Sequence, residues 1–171
     1  MTDMNRSFFW GVIACLSLFG PAAASDVTTA VQHWMGKWPA LPFNGQPVEP
    51  NDSKDKRTFW QYPGTRAGLE QAVGKHRAAI LIGEWHVGDP LRMANKRWAT
   101  FMACKPHDCG DNSALVFVDS LKGTFNVCWT ETARNGQTRA YWMAPNQEPQ
   151  PLAADTCNWQ DSANLAARYA H

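Results

Sequence analysis

The first apolar pattern with helical spacing lies near the start of the chain. Apolar residues at intervals of three and four predict a short helix over residues 26–38: Val27, Ala30, Val31 and Trp34. A second pattern of this kind predicts a helix over residues 65–77, although Gly68 and Gly74 weaken it. The stretch 39–56 between them contains four prolines and a polar run, which predicts an extended connection with little regular structure.

From residue 79 onward the pattern changes to that of β-strands. Short runs of β-branched and aromatic residues predict strands over residues 79–82, 95–103, 113–120 and 124–132. The pair Asn135 and Gly136 predicts a hairpin with a two-residue type I′ turn, because that turn needs positive φ at both central positions. In the register set by this turn, Trp129 lies opposite Trp142 and both belong to one aromatic core face.

The last element that the pattern predicts is a helix over residues 162–169, with Asp161 as its N-cap. Together the elements indicate an α+β domain. We expect an antiparallel β-sheet of about four to five strands, flanked by short helices on one or both faces. Trp98, Trp129 and Trp142 fall on strands and are expected to pack in the core.

The charge and the apolar content of the chain exclude several classes of protein. The chain has 171 residues, of which 44% are hydrophobic, as in one ordinary globular domain. Its 16 Lys and Arg residues nearly balance 15 Asp and Glu residues, and the net charge is +1. No overall basic field is therefore available to bind nucleic acid or an anionic membrane.

The N-terminal residues have the pattern of a secretory signal peptide. Arg6 precedes an apolar run at residues 8–19, and small residues follow up to Ala24. We expect cleavage near Ala24 and a mature protein that is exported to an oxidising compartment and does not span a membrane. The alternative is a lipoprotein acylated on Cys15, which is less favoured because only about four apolar residues precede Val12.

Two of the remaining cysteines lie in a short loop between predicted strands. Cys104 and Cys109 are five positions apart, and a disulfide between them would close a ring of six residues. Pro106 fixes one φ angle inside that ring, which predicts a stiff, protruding loop. Such a loop would hold His107 in one geometry, so that little ordering entropy is lost when the histidine meets a partner.

The residues of this loop leave three other interpretations open. A thioredoxin-type redox site needs two residues between its cysteines, whereas Cys104 and Cys109 enclose four. A zinc site formed by Cys104, His107 and Cys109 has suitable ligand types, but no second Cys/His pair at ligand spacing accompanies it. The loop could also be only a stapled turn with an exposed histidine. Three histidines elsewhere are expected to be solvated or packed: His33, His76 and His171.

The loop resembles the signature of the Ivy family, the inhibitors of vertebrate lysozyme found in the periplasm of Gram-negative bacteria. The similarity covers seven consecutive residues, Cys104-Lys105-Pro106-His107-Asp108-Cys109-Gly110, and a weaker similarity of pattern extends from about Leu69 to Trp129. The resemblance implies an antiparallel sheet with flanking helices, in a protein that is often a homodimer. It also implies a disulfide-closed loop that enters the active-site cleft of c-type lysozyme.

The resemblance assigns a role to each residue of this inhibitory loop. His107 would reach the two catalytic carboxylates of the lysozyme. Apart from the resemblance, the adjacency of Asp108 to His107 suggests that Asp108 orients or holds the histidine. Cys104 and Cys109 would form the disulfide bond that closes the loop. Lys105, Pro106 and Asp108 would set the shape of the loop and the rim that surrounds the inserted histidine.

Two further cysteines, Cys128 and Cys157, go beyond the family pattern. We expect a Cys104–Cys109 bond, because these two share one tight loop, and therefore a Cys128–Cys157 bond. The second bond would tie the C-terminal segment to the sheet.

These expectations combine into one interpretation with two alternatives. We interpret the chain as a periplasmic, non-enzymatic inhibitor of c-type lysozyme without metal or cofactor. Its parts are a signal peptide at residues 1–24, an N-terminal helix and Pro-rich extension at 25–66, and an inhibitor domain at 67–171. The alternatives are a regulator of an endogenous lytic transglycosylase and a secreted glycan-binding module that uses exposed tryptophans. The near-neutral charge offers no long-range attraction to a basic lysozyme, so the target stays open.

Overall fold

Helices cover both faces of a single antiparallel β-sheet. The computed structural model describes residues 21–39, 54–55, 57–85 and 87–170. In these ranges the helices are α1 at Pro21–Trp34, α2 at Thr65–Gly83 and α3 at Ser162–Tyr169, with short 3-10 helices at Phe59–Gln61 and Trp159–Asp161. The strands are β1 at Val87–Gly88, β2 at Arg92–Met93, β3 at Trp98–Cys104, β4 at Ser113–Asp119, β5 at Phe125–Thr132, β6 at Thr138–Met143 and β7 at Gln150–Leu152.

The sheet is wider than the sequence pattern indicated. Its strands pair in the order β1-β3-β4-β5-β6-β7, and β2 also pairs with β3. β1 and β2 therefore share one edge, and the sheet is six strands wide rather than four to five. The additional strands are only two or three residues long, which is too short to produce a periodic pattern.

Each face of the sheet buries its own cluster of side chains. Helices α1 and α2 pack on one face, in a cluster that includes Val27, Leu69, Phe101, Val116 and Phe125. Helix α3 packs on the other face, in a cluster that includes Leu115, Phe117, Trp142 and Leu165. Because successive residues of a strand point to opposite faces, β4 contributes to both clusters and is buried along its whole length.

Helix α2 extends farther than predicted. Residues 79–82, predicted as a strand, form part of this helix, so that prediction was wrong. The backbone leaves helical geometry at Gly74, where φ is 80° and ψ is 157°, and the helix then resumes. Leu81 is buried whereas Ala79 is exposed, which is the one-sided burial of a surface helix.

The register of the β5–β6 hairpin differs by one residue from the prediction. Trp129 pairs with Tyr141, and Trp142 pairs with Cys128. A shift of one residue moves a side chain to the other face of a sheet. Trp129 therefore lies on the α2 face and Trp142 on the α3 face, so the single aromatic face predicted for the two was wrong.

The turn of this hairpin explains the shift. Gly136 has a φ of 77°, but Asn135 is not in the left-handed region, so a type I′ turn is excluded. The N–H of Ala133 donates to the carbonyl of Gln137 at 3.0 Å, which leaves three residues in the loop instead of two. This is the turn in which a single left-handed glycine follows a type I turn.

Several other predictions are confirmed. Helix α3 has the predicted bounds, although the Asp161 side chain makes no capping hydrogen bond. Trp98, Trp129 and Trp142 are buried, as expected for core residues.

The predictions for the N-terminal part are only partly covered. Helix α1 begins earlier than predicted, at Pro21, and ends at Trp34. The apolar run at 8–19 and nearly all of the proline-rich stretch at 39–56 lie outside the described residues. Of the helices within the described ranges, none has the length and apolar character needed to cross a membrane.

Candidate functional site

The loop between β3 and β4 is closed at its base by a disulfide bond. Cys104, the last residue of β3, is bonded to Cys109 with an S–S distance of 2.03 Å and a Cα–Cα distance of 4.8 Å. Cys104 is fully buried, whereas Lys105 and His107 are exposed. The bond therefore anchors an exposed turn to the interior of the sheet.

The turn at the tip of the loop places His107 in the left-handed region of backbone conformation. The N–H of Asp108 donates to the carbonyl of Lys105 at 3.0 Å, which closes a four-residue turn with Pro106 second and His107 third. The φ of His107 is 65°. A type II turn has this pattern, with proline common at the second position and glycine or asparagine usual at the third. For a residue with a Cβ atom the conformation costs about 1–2 kcal/mol, so surrounding contacts must hold it.

Asp108 provides those contacts. Its carboxylate accepts hydrogen bonds from Lys105 Nζ at 3.0 Å and from Asn112 Nδ2 at 2.7 Å. Its carbonyl accepts from the N–H of Asn112 at 2.9 Å. The Lys105 ammonium, and then the Asn112 amide, lower the pKa of Asp108 below its ordinary value. The carboxylate therefore stays ionised at neutral pH and keeps the turn closed.

The imidazole of His107 is available to a partner. Its side chain is exposed and makes no hydrogen bond or ion pair with any residue that the structure describes. The Asp108 carboxylate bonds to Lys105 and Asn112 instead. Asp108 therefore positions His107 through the backbone of the turn and not through a bond to its ring.

The sequence interpretation missed three residues that support the loop. Thr132, at the end of β5, donates from Oγ1 to Asp111 Oδ1 at 3.2 Å and so braces the loop against the neighbouring hairpin. Lys105 N–H donates to the carbonyl of Asn112 at 3.0 Å, which extends the β3–β4 pairing beyond the strands. The signal that could have identified Asp111 and Asn112 is the preference of such short polar residues for bonding to nearby backbone and turns.

Aromatic and charged side chains support the same end of the sheet. The rings of Trp85 and Trp129 stack with their centroids 4.5 Å apart, and both residues are buried. Arg77 lies with its guanidinium carbon 5.7 Å from the Trp129 ring and a nitrogen 3.7 Å from Glu131. These contacts fasten α2 to β5 beneath the loop and provide a rigid base for it.

The disulfide bond argues against a zinc site in this loop. A zinc site needs thiolates, which Cys104 and Cys109 cannot supply while they are bonded to each other. Over the described ranges, the structure places no three His, Cys, Asp or Glu side chains where they could hold a metal ion.

The second disulfide has a different mechanical role. Cys128 on β5 is bonded to Cys157, with an S–S distance of 2.13 Å and a Cα–Cα distance of 5.4 Å. In the chain-entropy relation, a ring of this length stabilises the fold by about 3.5 kcal/mol, against about 2 kcal/mol for the small loop. The long ring therefore contributes more to stability, whereas the short one mainly fixes local geometry.

Comparison with known proteins identifies a family. The model of the family described as inhibitor of vertebrate lysozyme (Ivy) matches residues 64–162, which include β1 to β7, the loop and both disulfides. No curated protein and no solved structure matches the chain. Because the family match covers more than half of the 171 residues, the chain belongs to the Ivy family, whose members are inhibitors of lysozyme and not enzymes.

Proposed function

We propose that this protein inhibits c-type lysozyme by inserting the Cys104–Cys109 loop into the active-site cleft, with His107 facing the two catalytic carboxylates. Family membership supports lysozyme as the partner. The observation that carries the mechanism is the exposed, unbonded imidazole at the tip of a turn held by a disulfide and by Asp108.

The chemistry of an imidazole suits such a cleft. Lysozyme has one carboxylic acid of raised pKa and one ionised carboxylate on either side of the scissile bond. An imidazole N–H donates a hydrogen bond to a carboxylate, and a protonated ring forms a stronger charge-assisted bond. Because the backbone of His107 is already fixed, little ordering entropy is lost on binding.

The charges of the loop tip favour His107 as the group that enters. The Lys105 ammonium is bonded to the Asp108 carboxylate at 3.0 Å, so these opposite charges offset each other. A net neutral pair gives little attraction or repulsion toward an acidic cleft. The specific contact is therefore assigned to the ring of His107.

We also propose that the protein acts in the periplasm after removal of residues 1–24. The signal-peptide pattern supports export, and the two disulfides suit an oxidising compartment. Cleavage near Ala24 would remove the first four residues of α1 and leave its buried core residues, Val27, Ala30, Val31 and Trp34, in place. The intact mass of the exported protein should correspond to a chain that starts near Ser25. A diacylglyceryl mass on Cys15 would contradict this assignment.

The mechanism is tested by following the lysis of cell walls by hen-type lysozyme at increasing concentrations of the protein. His107→Ala should weaken inhibition by roughly thirtyfold, because truncation of a central interface anchor costs about 2 kcal/mol or more. Far-UV and near-UV circular dichroism should be unchanged, since the side chain makes no internal contact that supports the fold.

The matched control is His76→Ala, which removes an exposed histidine on α2. It should inhibit as the wild type does. Replacement of both loop cysteines by serine should also weaken inhibition, because the turn loses its closure. Wild-type inhibition by His107→Ala would exclude the proposed role of this residue.

A further inference from the structure

A concave site lies at the end of the sheet farthest from the inhibitory loop. A cavity of about 580 Å³ opens among β5, β6 and α3 and the turn that precedes β5. Its walls include Lys122, Asn126, Trp142, Gln150, Arg168 and Tyr169. Cavities of this size hold small organic ligands, including those of one or two sugar rings.

Asn126 contributes a polar side chain to the wall of this cavity, and the described part of the fold does not use that side chain in a hydrogen bond. It is 5% exposed, and it pairs across the sheet with Phe117, which is fully buried. Among the described residues, nothing forms a hydrogen bond with its side-chain amide. Among the described residues, Trp60 Nε1 is the one fully buried side-chain polar atom without a hydrogen bond, so the Asn126 amide is in contact with the solvent of the cavity. Its donors and acceptor are therefore free to bond to a ligand there.

The charges around the cavity favour an anionic ligand. Lys122 lies in the β4–β5 turn and Arg168 on α3, and neither makes an ion pair within the described part of the chain. The described residues that line the cavity include no carboxylate. Asp155 and Asp161 line a neighbouring depression that shares Arg168 with the cavity. Two unpaired cations and no lining anion give a positive potential.

An aromatic wall completes the site. The Tyr169 ring lies 5.3 Å from the Trp142 ring, and the guanidinium carbon of Arg168 lies 5.2 Å from the Tyr169 centroid. Trp142 is buried, so Tyr169 is the ring that a ligand would meet. An apolar ring beside amide donors and a cation suits a ligand with an apolar face and a polar edge.

We propose that this cavity binds an anionic saccharide of one or two rings. Asn126 and Gln150 would bond to the hydroxyl or acetamido groups of the sugar, and the C–H face of the sugar would pack on Tyr169. Lys122 and Arg168 would bind its acidic group, a carboxylate or a phosphate.

The cavity and the inhibitory loop can be occupied at the same time. Asn126 is near the start of β5, and Thr132, which braces the loop, is at its end. Six residues of a β-strand span roughly 20 Å. The saccharide site therefore does not depend on the proposed mechanism of lysozyme inhibition.

The test is a titration of the whole chain with N-acetylmuramic acid, followed by the NMR signals of the Asn126 side-chain amide. N-acetylglucosamine is the matched control, because it has the same ring without the lactyl carboxylate. The acidic sugar should bind about tenfold more tightly than the neutral one. N-acetylglucosamine 6-phosphate should also bind more tightly than the neutral sugar if the acidic group can be a phosphate.

Variants separate the parts of the site. Lys122→Gln combined with Arg168→Gln should remove the preference for the acidic sugar, whereas Lys75→Gln with Lys96→Gln, two exposed cations elsewhere, should not. Asn126→Leu should abolish the binding of both sugars without unfolding the protein, because the amide makes no hydrogen bond within the described residues and the two side chains have similar volumes.

Three results would overturn the proposal. They are the absence of saturable shifts with every sugar, equal affinity for the acidic and neutral sugars, and binding of inorganic phosphate alone as tightly as the acidic sugars. Asn126→Leu should inhibit lysozyme as the wild type does, and His107→Ala should bind the sugar normally. Failure of one proposal is therefore distinguishable from failure of the other.

Discussion

The two turns on either side of β4 have similar hydrogen bonding but differ in how they pack against the rest of the protein. In each of them, an aspartate carboxylate accepts hydrogen bonds from a cation and from amide donors: Asp108 in the turn before β4 and Asp119 in the turn after it. Each turn also contains one residue with positive φ. This residue is His107 in the turn before the strand, with a φ of 65°, and Gly123 in the turn after the strand, with a φ of 69°.

The turn after β4 is packed against the body of the protein. Asp119 is fully buried, and a Cβ atom on Gly123 would lie 3.3 Å from Cβ of Val27 on α1. Thr28 of α1 donates to the carbonyl of Ser120 at 2.6 Å. Glycine at this position is therefore required by the backbone conformation and by the lack of space.

The turn before β4 carries the same backbone conformation without that packing. The His107 side chain is exposed and makes no hydrogen bond or ion pair with a described residue, so the turn is held by the Asp108 contacts and not by its own tip residue. Glycine would be the less strained choice if the turn served only the fold. The difference in packing supports the proposal that the His107 side chain is retained for binding and not for the fold.

The largest effect on stability is expected at Asp119. Its carboxylate accepts from Arg97 Nε at 2.8 Å and from the N–H groups of Leu121 and Lys122 at 2.9 and 3.0 Å. Asp119→Asn places an amide where Arg97 needs an acceptor, and it should lower the free energy of unfolding by about 3 kcal/mol. Urea denaturation measures this loss, with the exposed Glu148→Gln as a control that should behave as wild type.

The same residue predicts a dependence of stability on pH. Burial raises the pKa of Asp119, but hydrogen bonds from Arg97, Leu121 and Lys122 outweigh burial, and the net pKa is lowered. The carboxylate therefore stabilises the fold fully above the unfolded-state pKa of about 3.9, and this contribution is lost as the pH falls through the folded-state pKa. Asp119→Asn should show a smaller decline over that acidic range. An identical pH profile for variant and wild type would contradict the assignment.

The next largest effect is expected for Gly123→Ala. Positive φ costs alanine about 1–2 kcal/mol, and contact with Val27 adds to this, so the free energy of unfolding should fall by about 2 kcal/mol. Thermal or urea unfolding measures the change. Gly110→Ala, at an exposed glycine with open space around its Cβ position, is the matched control. A loss no larger than that of the control would show that the two turns are not distinguished by packing.

The reverse substitution in the other turn, His107→Gly, should leave stability nearly unchanged. Relief of the positive-φ cost is offset by the greater freedom of glycine in the unfolded chain, so the change should stay within about 0.5 kcal/mol. Lysozyme inhibition should nevertheless fall as far as in His107→Ala. A large loss of stability would mean that the imidazole supports the fold and would weaken the comparison.

The smallest effect on stability is expected for Asp108→Asn. The Asp108 carboxylate is at the surface, so the unfolding midpoint should stay within the scatter of wild-type measurements. Inhibition should weaken several-fold, because the Lys105 bond that holds the turn is lost. Full inhibition by this variant would show that the disulfide alone suffices to hold His107 in place.

The fold was predictable from the sequence where the patterns were long. The helices at both ends and strands β3, β4 and β5 follow from runs of seven or more residues. Residues 79–82 were misassigned because four apolar residues fit either a strand or one turn of a buried helix. The hairpin register was wrong because Asn135 and Gly136 can lie in a two-residue or a three-residue loop, and Trp142 consequently changed faces.

Less of the candidate sites than of the fold could be predicted from the sequence. The loop and His107 could be identified from a contiguous motif, because their chemistry lies within a few positions of the sequence. The saccharide cavity could not, because it combines residues from the turn before β5, from β6, and from α3. Only the tertiary fold brings Lys122, Asn126 and Arg168 together.

The hydrogen bonding of the inhibitory loop also makes the loop suitable for transfer to another protein. Within the described chain, the hydrogen bonds of residues 105–112 stay inside the loop, apart from the one from Thr132 to Asp111. A segment held by its own hydrogen bonds and disulfide can be grafted between two antiparallel strands that end in a directly paired position, as Cys104 and Ser113 do here. The loop can therefore serve as the binding loop of engineered small proteins. Its tip residues would be varied while the six-residue disulfide ring is kept.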